Sequence, residues 1–158
     1  MSFEHEIVVL VEECFNALPP DSAKLEIGQV PGSVHPTFKV VPRSVRAAQF
    51  GGFAVGRELN LDLGSGQMVE FWNFALGGTL KRGLEWREEF RLIWHAIVAG
   101  GYTEDRYYWG DRLIRLRTEI DVAGEKLVFG SGPSWVPKAM LRRASFEFGA
   151  YDDVGKNR

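Results

Sequence analysis

Eleven residues, Arg112 to Val122 (RLIRLRTEIDV), constrain the fold more than any other part of the chain. Ile114, Leu116, Thr118, Ile120 and Val122 share one parity, while Arg115, Arg117, Glu119 and Asp121 take the other. A two-residue period means a β-strand with one buried face and one wet face. At about 3.3 Å per residue the run spans roughly 35 Å, longer than a typical strand of about five or six residues. Such a strand belongs in the middle of a bent sheet.

Two segments carry helical spacing instead. Phe3, Ile7, Leu10, Val11, Cys14 and Leu18 recur at three- and four-residue steps, which predicts a helix over 3–18. Ser2 is its N-cap, Glu4 and Glu6 suit the positive end of the dipole, and Pro19-Pro20 ends it. Trp86, Phe90, Ile93 and Ile97 predict a second helix over 84–99, with Glu85, Glu88 and Glu89 in its first turns and Gly100-Gly101 as its stop. Residues 79–83 read as a turn ahead of it.

The remainder reads as strands broken by glycine and proline. Strands are expected over 24–30 and 37–41, the latter held to an edge or irregular position by Pro36 and Pro42. Gly51-Gly52 within 49–55 predicts a bulge or sharp bend. Residues 58–63 and 67–74 form a hairpin around Gly64-Ser65-Gly66, closed by Gly77-Gly78. In that register Leu61 faces Val69 and Leu59 faces Phe71. The opposite face then mixes Glu58, Asn60, Asp62 and Glu70 with Met68, Trp72 and Phe74, too apolar to be simply solvated.

A further hairpin through Gly110-Asp111 pairs 109 with 112 and 107 with 114. It puts Tyr107 and Trp109 on the core face, and Arg106 and Tyr108 on the polar one. Residues 123–125 turn the chain into a strand over 126–129, 134–143 form a short helix, and 145–148 a last strand. The expected fold is α+β: one bent antiparallel sheet of about six to eight strands with two main helices packed on it. A single domain covers 1–150, and 151–158 is a polar, fraying tail.

Composition narrows the function classes. At 158 residues, a chain 45% hydrophobic and 25% charged has the ordinary globular profile. A formal net charge of −2 argues against a general nucleic-acid or membrane-surface binder. The N-terminal stretch is acidic where a signal peptide is basic, and its apolar run is too short to span a bilayer. One cysteine excludes an internal disulfide framework and suits a reducing cytoplasm, the expected location.

No stretch supplies a catalytic constellation. Cys14 lies on an apolar helical stripe, where free cysteine packs as a small hydrophobe. His5, His35 and His95 lack metal-ligand spacing, so neither metal nor cofactor is expected. No phosphate loop precedes a helix, and there is no GxSxG elbow. Two groups of residues remain as binding candidates: Glu58, Asp62, Glu70 and Trp72 on the first hairpin, and Tyr108, Arg115, Glu119 and Asp121 around the long strand.

Acids mixed with exposed aromatics suit an interface. The first expectation is a non-catalytic protein-binding domain, most concretely an immunity-type protein that binds and neutralises a toxin. The alternative is a curved-sheet pocket for a small molecule, a hydrolase or isomerase using the carboxylates of Glu58, Asp62 or Glu70.

Overall fold

The two helices form where three- and four-residue apolar spacing predicts them. The computed structural model describes residues 2–56, 58–63, 69–72 and 84–152, the stretch 69–72 through its backbone pairing. Helix α1 is Phe3–Asn16, and the Ser2 hydroxyl accepts from the His5 amide at its start. Five strands follow: β1 Ala23–Gln29, β2 Pro36–Pro42, β3 Phe50–Val55, β4 Glu58–Leu63 and β5 Val69–Trp72. Helix α2 is Trp86–Val98, closed by Gly100 at φ +86°. Then come β6 Tyr102–Trp109, β7 Arg112–Val122, β8 Glu125–Ser131 and β9 Arg142–Glu147.

The α+β class with two main helices holds, and the strands divide between two antiparallel sheets. One has the order β1-β2-β3-β4-β5 and the other β8-β7-β6-β9. Strand β7 is central in the second sheet, as its length demands. Leu116, Thr118, Ile120 and Val122 are buried along one face of it.

Helix α2 lies between the sheets. Its Phe90 ring packs edge-on to Phe38 of β2 at 6.4 Å, and Trp94 packs edge-on to Phe50 of β3 at 4.9 Å. The helix also lies against β7, and one continuous core joins it to both sheets. Full burial of side chains such as Phe90, Ile93 and Ile97 contributes about 1.5–3 kcal/mol each. Helix α1 covers β2 and β3, and its Glu6 and Glu13 meet Arg87 and Arg91 of α2 at 2.6 and 3.0 Å.

Several local expectations are corrected. Strand β2 is interior rather than an edge: Pro36 and Pro42 sit at its ends, where they oppose only β1, and β3 pairs with 37–40 between them. Gly51-Gly52 makes no bulge, since β3 pairs in continuous register on both sides. The glycines serve close approach instead. A Cβ on Gly51 would sit 2.5 Å from the Phe38 carbonyl oxygen, and one on Gly52 2.5 Å from that of Asn60.

The β4–β5 register is one residue away from the expected one, with Leu61 opposite Glu70 and Leu59 opposite Trp72. A one-residue slip exchanges the faces of a strand. The expected turns at 64–66 and 79–83 and the Gly77-Gly78 stop lie outside the described residues.

In the second sheet the hairpin begins as expected, with Trp109 opposite Arg112. The register then shifts between Tyr107 and Tyr108, so that Tyr107 meets Arg115 and Arg106 meets Leu116. Ile114 is the extra residue, and it reverses the expected faces: Arg106 joins the core face of β7, and Tyr107 the polar one. Trp109 is 53% exposed, not core. The expected helix over 134–143 shrinks to a 3₁₀ turn at Lys138–Met140, preceded by Pro137.

The polar tail does not begin at residue 151. Tyr151 is buried, its amide donates to the Val98 carbonyl at 2.9 Å, and its hydroxyl donates to the Ala48 carbonyl. With the parallel bridge between Ala47 and Gly149, this ties the end of the second sheet's chain to the first sheet. Tyr151→Ala is expected to cost about 3–5 kcal/mol in urea unfolding, through the cavity and the orphaned carbonyl, and Tyr151→Phe about 1 kcal/mol. Equal stability of all three proteins would remove this tether from the account.

Candidate protein-binding surface

Antiparallel strands present alternate residues to opposite faces, so β6–β9 divide their polar chemistry between two sides. The inner side is unusual in holding charge. Glu104 is fully buried there, accepting from the Tyr102 hydroxyl at 2.7 Å and from Arg106 Nε and Nη2 at 2.9 and 2.8 Å. The Arg106 guanidinium in turn lies 4.4 Å from the Phe146 ring centroid. This buried carboxylate is paired and hydrogen-bonded on both oxygens, as a buried charge must be.

The outer side carries a ladder of ion pairs across four strands. Lys126 of β8 bonds Glu119 of β7 at 2.6 Å, and Glu119 also accepts from Arg117 at 3.2 Å. Arg117 approaches Asp105 of β6 at 3.6 Å. Asp105 accepts from Arg143 of β9 at 2.8 Å on both oxygens and from the Ser145 hydroxyl at 2.6 Å. Burial pushes the Asp105 carboxyl up, but the Ser145 and Arg143 hydrogen bonds and the charges of Arg143 and Arg117 outweigh it and hold the group below its usual range.

One end of this outer face is capped by the loop 132–141. Val136 and Leu141 pack on Tyr107 beside Ile114, forming a small core of their own. Arg115 Nη2 donates to the Pro133 and Val136 carbonyls. Gly132, at φ +102°, sits so close to the Ile114 carbonyl that a side chain there would collide with it. From this anchored base the loop turns Trp135 outward at 81% exposure and Met140 at 61%, and β9, which follows it, starts opposite Tyr108, the neighbour of Trp109. Beneath the loop lies a cleft of about 270 Å³, lined by Arg115, Arg117, Ser134 and Lys138 over Leu116, Val128 and Phe129.

The candidates on the long strand are therefore placed as follows. Glu119 is a central member of the ladder. Arg115 anchors the loop. Asp121 accepts from the Gly124 amide at 2.8 Å and closes the tight β7–β8 turn, in which Ala123 and Gly124 both take positive φ. Tyr108 lies on the other side of the sheet, under the Arg142 guanidinium at 4.7 Å.

The first-hairpin group is described only through the β4 side chains and the backbone register of β5. Glu58 and Asp62 share one face of β4 with Asn60, whereas the β5 register sets Glu70 and Trp72 opposite the buried Leu61 and Leu59. Asp62 is half-buried, with Oδ1 lacking a hydrogen-bond partner among the described residues; burial raises its carboxyl above the ordinary value, against the pull of Lys39.

Sequence reasoning missed Trp109, Trp135 and Met140. A tryptophan between Pro133 and Pro137 was the available signal, because such a bracket disfavours the helix that would have hidden it. Cys14 is partly buried, and burial pushes its thiol up to about 11 against the pull of Arg91. Among the described residues, no three His, Cys, Asp or Glu side chains gather to hold a metal ion, and no helix is long and apolar enough to cross a membrane. No protein-family model, curated protein or solved structure matches the chain.

Two outcomes are expected. Asp105 has a lowered folded-state pKa, so its contribution is present above the unfolded value near 3.8 and is lost as pH falls through the folded one. Asp105→Asn should cost roughly 1–3 kcal/mol at pH 7, and the gap to the parent in urea titrations should narrow below about pH 4. A gap that widens on acidification would contradict the sign. Cys14 should react with a disulfide reagent at pH 7.5 on the order of a hundredfold more slowly in the native protein than in urea, because its thiolate fraction is depressed.

Proposed function

We propose that this protein is a non-catalytic protein-binding domain whose contact surface is the loop 132–141 and the β6–β7 hairpin tip. The immunity-type reading, in which the bound partner is a toxin, is its most concrete version, and a single free cysteine suits a reducing cytoplasm. One observation carries the proposal. The loop is held from beneath by Val136, Leu141 and Arg115, yet it turns Trp135 and Met140 to solvent. Large apolar side chains on an anchored support supply contact area with little ordering left to pay for, the property of interface hot spots.

The carboxylates beside this surface support recognition over catalysis. Asp105 is engaged by Arg143 and the Ser145 hydroxyl, which favours its charged form. A general acid needs the opposite environment.

The test is reconstitution with the stoichiometric partner recovered by co-purification. Trp135→Ala and Trp109→Ala are each expected to weaken that complex by about 2 kcal/mol or more, roughly thirtyfold, while leaving thermal unfolding unchanged. A small molecule that raises the melting temperature, with the effect abolished by Glu70→Gln or Trp72→Ala, would instead establish the pocket reading.

A further inference from the structure

The same surface is charged against the sign of the whole chain. Residues 104–117 and 132–143 hold seven Lys and Arg against three Asp and Glu, in a protein of formal net charge −2. The remainder is therefore net acidic, and positive charge is concentrated at one end of the second sheet. Arg112 and Lys138 have no acidic partner among the described residues, and Lys138 lies 5.7 Å from the Tyr107 ring centroid. The cleft below the loop is lined by three cations and the Ser134 hydroxyl, with no acid in its wall.

We propose that this end of the sheet docks an acidic segment of a partner protein. The carboxylates of that segment enter the cleft of Arg115, Arg117 and Lys138, and its apolar side chains seat on Trp135, Met140 and Trp109. The inference rests on the protein-binding reading and adds the chemistry of the partner. Charge complementarity selects an anionic occupant, and two features select protein over nucleic acid. The positive region is short: beyond Arg117 a phosphate backbone would meet Glu119, and Asp121 after it, on the same strand. The exposed apolar surface includes Met140 and Val128, which offer nothing to a phosphate and suit aliphatic or aromatic side chains.

The experiment uses the full chain and three probes of equal length. These are a synthetic peptide alternating Asp or Glu with Leu or Phe, its Asn/Gln counterpart, and oligothymidylate. Binding is read from the indole N–H resonances of Trp109 and Trp135 and from salt dependence. The acidic peptide is expected to shift both indoles and to bind about tenfold more tightly than the neutral one, with the advantage shrinking as salt rises.

The double variant Arg112→Glu/Lys138→Glu should lose about tenfold in affinity for the acidic peptide. Lys24→Glu, on the exposed β1, should lose nothing. Near-UV circular dichroism of each variant controls for folding. Equal binding of the acidic and neutral peptides, shifts confined to other tryptophans, or tighter binding of oligothymidylate would each overturn the proposal. If the acidic peptide fails while Trp135→Ala still weakens the purified complex, only the charge assignment falls. If Trp135→Ala is also silent, the protein-binding reading falls with it.

Discussion

Burial of α2 from two sides is the constraint on which the rest of the structure depends. Its Arg87, Glu88, Arg91 and His95 face solvent, while Phe90, Ile93, Trp94 and Ile97 are nearly inaccessible. A helix apolar over most of its circumference needs more than one sheet to cover it. The chain supplies five antiparallel strands before the helix and four after, and each set leaves one apolar face for it. The tether at Tyr151 joins the end of the second sheet's chain to α2 and the first sheet. The outer faces are left for other work.

How much of this was legible depended on whether a segment's pattern was answered locally. The strand 112–122 and helix 3–16 could be read because a buried face next to a wet one writes its own period into the sequence. The faces of the partner strands could not. Ile114 is an ordinary apolar residue in an alternating run, yet as the extra residue of a bulge it sends Arg106 inward and Tyr107 outward. The β4–β5 pairing likewise lies one residue from the expected register. Proline was over-read in β2 because a strand's ends tolerate what its interior does not.

The site was legible only in its chemistry, not in its location. Arg115 and Glu119 do stand on the outer face, but the first anchors the loop and the second is held between Lys126 and Arg117. Of the side chains that face solvent at that end, Trp109 is expected on the core face, while Trp135 and Met140 fall in the expected short helix over 134–143. What exposes them is tertiary. The Gly132 conformation and the Val136 and Leu141 contacts close the loop onto Tyr107, and the residues between are left facing out.

The ion-pair ladder also makes sense in these terms. Exposed pairs of this kind contribute about 0–1 kcal/mol to stability, so the ladder is a poor explanation for the fold. It does hold long side chains in defined positions across four strands, which would lower the entropy lost in the proposed protein contact. It further confines uncompensated positive charge to the loop and hairpin tip, since the cations in the middle of the sheet are matched by Asp105 and Glu119. A sheet with charges of one sign throughout would attract any polyanion. A matched field with an unmatched edge, on a sheet that also exposes two tryptophans, would discriminate by position, as the proposed protein contact requires.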